Sequence, residues 1–329
     1  MTLARRTLAT GLGVLAAALA APGAFAQGAA ADWPTKPVRI IVPTPPGGPF
    51  DRLIRPIAQD MAAALKQPIV IDNRPSAGNI VGTQAGATSA PDGYTLTMTG
   101  MINTITAGLH EKLPYDIVGD FAHISAIGEG AQWLVTRSDS GIESLADLLA
   151  RAKKEPGRLN VATSGAGSAG HLLMELLQRA AGVTLVHVPY KGGAPALNDT
   201  LAGVVHLLAV PQNAAQPHVL SGKLRLLAVS SRERSPAAPA APSFAELGYP
   251  QMTVTSWVGL SAPKGTPPEV VRRVHAALQA TLAKPAITDP LVAEGLAIMK
   301  TSPEQYAALV RSDTERWGQL VRSLKLKAD

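Results

Sequence analysis

The chain contains no cysteine, which excludes a disulfide framework and any thiolate-bound metal. Beyond residue 26 it has no apolar run long enough to span a bilayer. Its seven histidines fall at none of the spacings H-x-H, H-x-x-H or H-E-x-x-H, so no zinc or other metal centre is expected. Cationic clustering is scarce too. Lys and Arg are spread along the chain, and one basic group, Arg322, Lys325 and Lys327, closes the last expected helix, where cations complement the helix dipole. Nucleic acid is therefore not an expected partner. The net charge of +6 drops by two without Arg5 and Arg6, leaving a mild excess that draws anionic solutes toward the surface.

The chain does carry an export signal. Arg5 and Arg6 supply a positive n-region, residues 8–21 an apolar h-region, and Ala24-Phe25-Ala26 a small-x-small cleavage site. Residues 1–26 thus read as a signal peptide whose removal leaves a periplasmic protein; the arginine pair leaves Sec and twin-arginine routes both open. About 300 residues remain, enough for two ordinary cores without covalent staples.

Strand, glycine-rich turn and helix alternate along those residues, the pattern of an α/β fold with mostly parallel sheets flanked by helices. Strands are expected at 38–42, 69–72, 95–99, 159–162, 184–188, 205–210 and 224–229. Helices are expected at 51–65, 80–88, 144–154, 172–181, 194–201, 214–220, 268–282 and 303–324. Residues 121–135 read as extended chain leaving a first lobe, and 254–260 as the return. This divides the chain into residues 33–128 plus 258–329 and residues 129–257, joined by two hinge crossings near 128–130 and 256–259. Thr266-Pro-Pro-Glu269 and Ser302-Pro-Glu-Gln305 both fit a capping box with proline at the first helical position.

Residues 159–171, Leu-Asn-Val-Ala-Thr-Ser-Gly-Ala-Gly-Ser-Ala-Gly-His, are the most informative stretch. An apolar run feeds a turn of glycine and small hydroxyls, and an amphipathic helix follows. Such a turn aims a helix N-terminus and unpaired main-chain N–H groups at one spot, an anion site without a cationic side chain. Residues 43–50, Pro-Thr-Pro-Pro-Gly-Gly-Pro-Phe, repeat the idea between a strand and the helix that starts near Asp51.

Other chemistries fit these residues less well. Gly165-Ala-Gly-Ser-Ala-Gly170 matches G-x-G-x-x-G, but the next strand runs into Val188-Pro189-Tyr190-Lys191 rather than an acidic residue for a ribose, so no dinucleotide or other cofactor is expected. Ser168 lies in Gly-Ser-Ala-Gly, not in the G-x-S-x-G elbow of a hydrolase. With no nucleophile assigned, the chain is not read as an enzyme. Ser164 and Ser168 read as hydroxyl donors beside the amides, and His171 as the histidine nearest a ligand. Asp51 reads as the N-cap of its helix, and Tyr190 as a hydroxyl donor at a sheet edge where ligands of α/β proteins bind.

Taken in order, Val38–Val42 with Gly47, Gly48 and Asp51, then Asp72-Asn73-Arg74-Pro75, Pro91-Asp92-Gly93-Tyr94 and Lys112-Leu113-Pro114-Tyr115-Asp116 form an ordered set. It continues with His187-Val188-Pro189-Tyr190-Lys191-Gly192, Gly222-Lys223-Leu224-Arg225 and Trp257-Val258-Gly259-Leu260. The whole chain beyond the signal peptide resembles the periplasmic receptors of tripartite tricarboxylate transporters, also called Bug receptors. That resemblance implies a two-lobed, type II-like periplasmic-binding-protein fold closing on a small carboxylate. The carboxylate would be gripped by main-chain amides and ordered waters, in a monomer that serves membrane permease subunits or signals through a partner. Carried onto this sequence, the expected site comprises Thr44, Pro46, Gly47, Gly48, Phe50 and Asp51 of the first turn. Thr99 at a strand end joins it, with Ser164, Gly165, Gly167, Ser168 and His171 of the second turn, and Tyr190 and Gly192.

Three departures from the family pattern bear on the ligand. Pro49 and Phe50 stand where a small residue and threonine are usual, which removes one amide donor and adds an apolar ring. Thr44 replaces a phenylalanine. Val210-Pro211 replaces Asp-Asn, so a carboxylate that would pair a ligand ammonium is missing. Together they point away from amino acids and citrate, toward a mono- or dicarboxylate with a larger apolar or aromatic body.

Overall fold

A computed structural model describes residues 32–324 and 326; the signal-peptide reading, Lys325 and Lys327 lie outside them. Strand β1 (Val38–Val42) is a run of β-branched residues buried on both faces except at Arg39, as a central parallel strand requires. It pairs in parallel with β2 (Ile69–Asn73) on one side and β3 (Thr95–Gly100) on the other. Helix α1 (Pro49–Leu65) follows β1 and buries Leu53, Ile54, Ile57, Ala58 and Met61, a single apolar stripe at helical spacing. Helix α2 (Ile80–Ala87) follows β2, and α3 (Met101–Leu109) follows β3 directly.

The long strand β4 (Phe121–Arg137) then serves two sets of partners. Its first part lies antiparallel to β9 (Thr255–Pro263), with Gly130 opposite Ser256, and to β10 (Leu296–Ile298). Its last part pairs antiparallel with β7 (Leu207–Pro211) and β8 (Leu224–Val229). Beyond β7, β5 (Asn160–Thr163) and β6 (Val186–Pro189) run parallel to one another. Between these strands lie α4 (Leu145–Lys154), α5 (Ala169–Ala181), α6 (Gly193–Ala202) and α7 (Gln212–Leu220). After β9 come α8 (Pro268–Leu282), α9 (Pro285–Ala293) and α10 (Pro303–Ser323).

Two expectations need correction. The sheets are mixed rather than mostly parallel: four strand pairings are parallel and five antiparallel among the described residues. The antiparallel pairs all involve β4 or β9, because the outgoing and returning segments run side by side. The box at Thr266 does not form: α8 begins at Pro268 without a side-chain cap, and the Thr266 hydroxyl bonds back to Pro263 O. The box at Ser302 forms as expected. Helices α3 and α9 and strand β10 were not expected at all.

One core lies between β1, β3, α1 and α8, built on Ile40, Leu96, Met98, Ile54, Ile57, Met61, Val274 and Leu278. Burying each such side chain stabilises by roughly 1.5–3 kcal/mol. Another carries Trp133, Leu208 and Val210. Between them α10 packs Tyr306, Val310 and Trp317 against α3 and Trp257. Here Trp257 Nε1 donates to Asp313 at 2.5 Å and its ring meets Tyr306 edge-on, 5.6 Å between centroids. Gly259 permits that approach. A methyl there would press on the Tyr306 ring and lie 2.5 Å from the carbonyl oxygen of Ser125, a main-chain atom that cannot step aside. Gly259→Ala should therefore lower unfolding free energy by about 3 kcal/mol in urea titrations. Gly130→Ala, on the neighbouring strand with open space around it, should stay within about 0.5 kcal/mol.

Candidate functional site

The two glycine turns are copies of one device, built by different side chains. In the first, Gly47 takes the left-handed φ of +75°, Gly48 N donates to Pro45 O at 2.9 Å, and α1 starts at Pro49 with Gly48 as N-cap. Asp51 is thus the third helical residue rather than the N-cap expected from sequence. Its buried carboxylate accepts from Gly47 N at 2.8 Å, from Arg55 at 2.8 and 2.7 Å, and from Asn73 Nδ2 at 2.9 Å. Asn73 Nδ2 also donates to Thr44 O, tying the turn to the end of β2. The bonds from Arg55 lead in holding the Asp51 carboxyl down to about 2, with Gly47 and Asn73 adding to it against the opposing effect of burial.

In the second turn Gly167 takes φ +71°, Ser168 N donates to Gly165 O at 3.2 Å, and α5 starts after Ser168, whose hydroxyl caps it by accepting from His171 N. The third helical residue is now His171, and its Nδ1 accepts from Gly167 N at 3.0 Å. An accepting Nδ1 places the ring proton on Nε2, which faces Glu175 at 3.7 Å. The His171 ring is buried and stacks on His187, centroids 3.9 Å apart and planes within 8°. His187 in turn contacts Thr163 Oγ1 at 2.7 Å. Burial is the main cause that holds His187 down to about 4; neighbouring His171 adds to it and Glu175 opposes it. Gly170 lets α5 close onto β7, since a Cβ there would strike Ala209 O.

These bonds decide which expected residues face outward. The N–H groups of Gly47, Gly48 and Gly167 are engaged inside their turns, and Gly165 N donates to Thr163 Oγ1. Thr99 is fully buried and bonded to Ser261 and Tyr306, a core network rather than an open surface. Tyr190 gives its hydroxyl proton to Asp199 at 2.6 Å, and that bond is the main reason its pKa is pushed up to about 12. Gly192 N donates to Ser164 O, which folds Tyr190 and Gly192 back onto the second turn. Pro46 is exposed at the tip of the first. The N–H groups of Phe50 and Asp51 in α1, and of Ala166, Ala169 and Gly170 beside α5, meet no protein acceptor among the described residues.

A cleft of about 440 Å³ receives both turns. The starts of four helices line it: Pro49, Phe50, Arg52 and Leu53 from α1, Met101, Ile102 and Ile105 from α3, Ser168 and Ala169 from α5, and Gln212 and Asn213 from α7. Gly130, Ser256, Trp257 and Val258 of the paired crossings form another wall, and Leu291, Glu294, Gly295 and Leu296 close one side. Of the expected residues, Phe50 and Ser168 line the cleft directly. Sequence reasoning missed Arg52, α3 and the entry to α7. A more open groove of about 500 Å³, among Leu145, Val219, Leu227 and Pro242, lies away from both turns. Among the described residues no three His, Asp or Glu side chains converge to hold a metal, and no helix is long and apolar enough to cross a membrane.

Helix N-termini carry partial positive charge, so a cleft ringed by them and walled by apolar side chains suits an anion with a hydrocarbon body. The α/β architecture is that of the periplasmic binding proteins. A family profile described as the tripartite tricarboxylate transporter family receptor matches residues 53–326, and the chain belongs to that family. It is 36% identical to the protein BugT of Bordetella pertussis, over 96% of this chain and 98% of that protein. Among solved structures it is similar to MatC from Rhodopseudomonas palustris with bound malate, at 31% identity and TM-score 0.72, covering 88% of this chain and 100% of that one. It is also similar to an R. palustris protein with adipate, at 32% identity and TM-score 0.76, covering 90% and 99%. The family's description is that of a receptor.

The Asp51 tie has a measurable pH signature. Its carboxyl titrates lower in the folded chain, about 2, than at its ordinary 3.8. Its ionised form therefore stabilises the fold above that ordinary value, and the contribution disappears as pH falls toward 2. Asp51→Asn should cost about 2 kcal/mol at neutral pH. Between about pH 5 and pH 2 the variant should then lose less stability than the parent, measured by urea midpoints. Parallel pH profiles for the two proteins would rule the tie out as a stabilising element.

Proposed function

We propose that this chain is a periplasmic receptor that holds a small organic carboxylate in the cleft between the two glycine turns and delivers it to membrane permease subunits. The observation that carries this reading is the set of unengaged main-chain N–H groups at the starts of α1 and α5 beside one apolar-walled cleft. Hydrogen bonds to a charged group contribute about 1.5–3 kcal/mol each, so four or five supply the roughly −8 kcal/mol of a micromolar complex. No catalytic group is needed. Relatives that hold malate and adipate support a carboxylate ligand.

The finer reading assigns residues 33–128 with 258–329 to one lobe and 129–257 to the other. The change of β4 partners between Gly130 and Gln132 supports it. Bending at the paired crossings near Gly130 and Ser256 then closes the lobes, with the ligand favouring the closed state through contacts to both. Phe50, Pro49 and Pro211 on the cleft wall favour an acid with an apolar or aromatic body over citrate or aspartate. Export of a monomer through cleavage after Ala26 completes the proposal.

Two measurements test it. In thermal-shift screens of the processed protein, an apolar-bodied acid at a hundredfold excess over its Kd adds about 2.7 kcal/mol of stability, a shift of several degrees. Larger shifts with citrate or aspartate than with every apolar-bodied acid would overturn the ligand class. Ser168→Asp keeps an N-cap acceptor for α5 yet puts a carboxylate on the cleft wall. The carboxylate cannot replace the hydroxyl's donation to Gly165 O, so the variant should melt a few degrees lower yet stay folded, and lose ligand binding by at least tenfold; undiminished affinity would remove the second turn from the site.

A further inference from the structure

Helix α1 carries two arginines within one turn of each other, and they are held differently. Arg55 is locked to the Asp51 carboxylate by two hydrogen bonds. Arg52 is exposed, lines the cleft, and makes no ion pair among the described residues. It is the single cationic side chain among the cleft-lining residues, and Glu294, at the end of α9, is the single carboxylate. The two do not pair with each other. Leu53, Leu291 and Leu296 share the same wall. The unengaged amides of α1 and α5 satisfy one carboxylate without help from Arg52, so the guanidinium remains available for something else.

We propose that Arg52 is the specificity-determining residue of the cleft, reading a second anionic group at the far end of the ligand's apolar segment. This rests on the receptor reading above and deepens it. A planar guanidinium matches a carboxylate in two parallel hydrogen bonds. Glu294 supplies the complementary exclusion: a second anion is repelled along its part of the wall and tolerated beside Arg52, a combination of attraction and repulsion that sharpens selectivity. Charge number is therefore set by Arg52, and carboxylate capture by the helix N-termini.

The experiment is calorimetric titration of the processed protein with matched pairs of straight-chain acids from four to ten carbons, each α,ω-dicarboxylate against the monocarboxylate of equal length. The wild-type protein should prefer the dicarboxylate of the best-fitting length by tenfold or more, with a preference that shrinks as salt is raised. Arg52→Gln should collapse that preference to near unity, and Arg52→Lys should restore part of it. Equal affinity for both members of each pair in the wild type, tighter monocarboxylate binding, or a preference that survives Arg52→Gln would overturn the role of Arg52 while leaving the receptor intact. If no acid of either series binds the wild type, the Arg52 proposal falls; the carboxylate-receptor reading falls with it only if the thermal-shift screen, aromatic acids included, also finds no ligand.

Discussion

A single buried carboxylate sets the geometry on which the first half of the cleft depends. Asp51 accepts four hydrogen bonds, one from Gly47 N–H, two from Arg55 and one from Asn73. Those bonds draw the turn inward and leave the N–H groups of Phe50 and Asp51 facing away from protein acceptors. A negative charge at a helix N-terminus would ordinarily cancel the field that an anionic ligand needs. Arg55 offsets that charge by pairing with Asp51 one turn below, so the tie shapes the turn without adding net negative charge to it. A carboxylate this buried without its guanidinium partner would be costly by several kcal/mol; the pair is a single unit.

The second turn reaches the same geometry with no ionised carboxylate in its lock. His171 occupies the helical position of Asp51, Gly167 that of Gly47, and Ser168 that of Gly48, with matching glycine φ values of +71° and +75°. The stack on His187 holds the ring in place, as Asn73 and Arg55 hold the carboxylate. The two turns differ where they meet the cleft. Ala169 keeps an N–H that Pro49, its counterpart, lacks, and Gly170 stands opposite Phe50. The second turn therefore keeps more open main-chain N–H groups, while the first carries an apolar ring and Arg52 at the cleft wall.

Much of this was legible from sequence, and what was not has physical causes. Strands β1 and β8 lie where the sequence pattern put them, because short apolar runs, β-branched in β1 and leucine-rich in β8, bounded by turn residues have few other readings. Both glycine turns were legible because each sits between a strand and an amphipathic helix. Helix α3 was not: Met-Ile-Asn-Thr-Ile-Thr is rich in β-branched residues and opens on Gly100, which offers no side-chain cap. Nor does spacing say which amides are engaged. Gly47, Gly48 and Gly167 looked like the donors, but Asp51, Pro45 O and His171 take their N–H groups. Thr99 was drawn into the expected site by its place at a strand end, and only tertiary contact with Ser261 and Tyr306 removes it. Arg52 reads in sequence as one more solvated cation.

The same tertiary network links the cleft to the crossings. Trp257 lines the cleft, donates its indole N–H to Asp313 and meets Tyr306 edge-on. Tyr306 bonds Thr99, which bonds Ser261 on β9. Strand β9 is thus held on α10 through its middle, whereas Gly130 on the adjacent strand has nothing packed where its side chain would be. Gly128, two residues earlier, is pinned by Leu296. Gly130 is held through its main chain alone, paired with Ser256 on one side and Leu296 on the other. Trp257 and Gly130 both line the cleft, so its wall joins a side chain locked into the α10 network to a bare strand position whose ties among the described residues are the ladder bonds of β4.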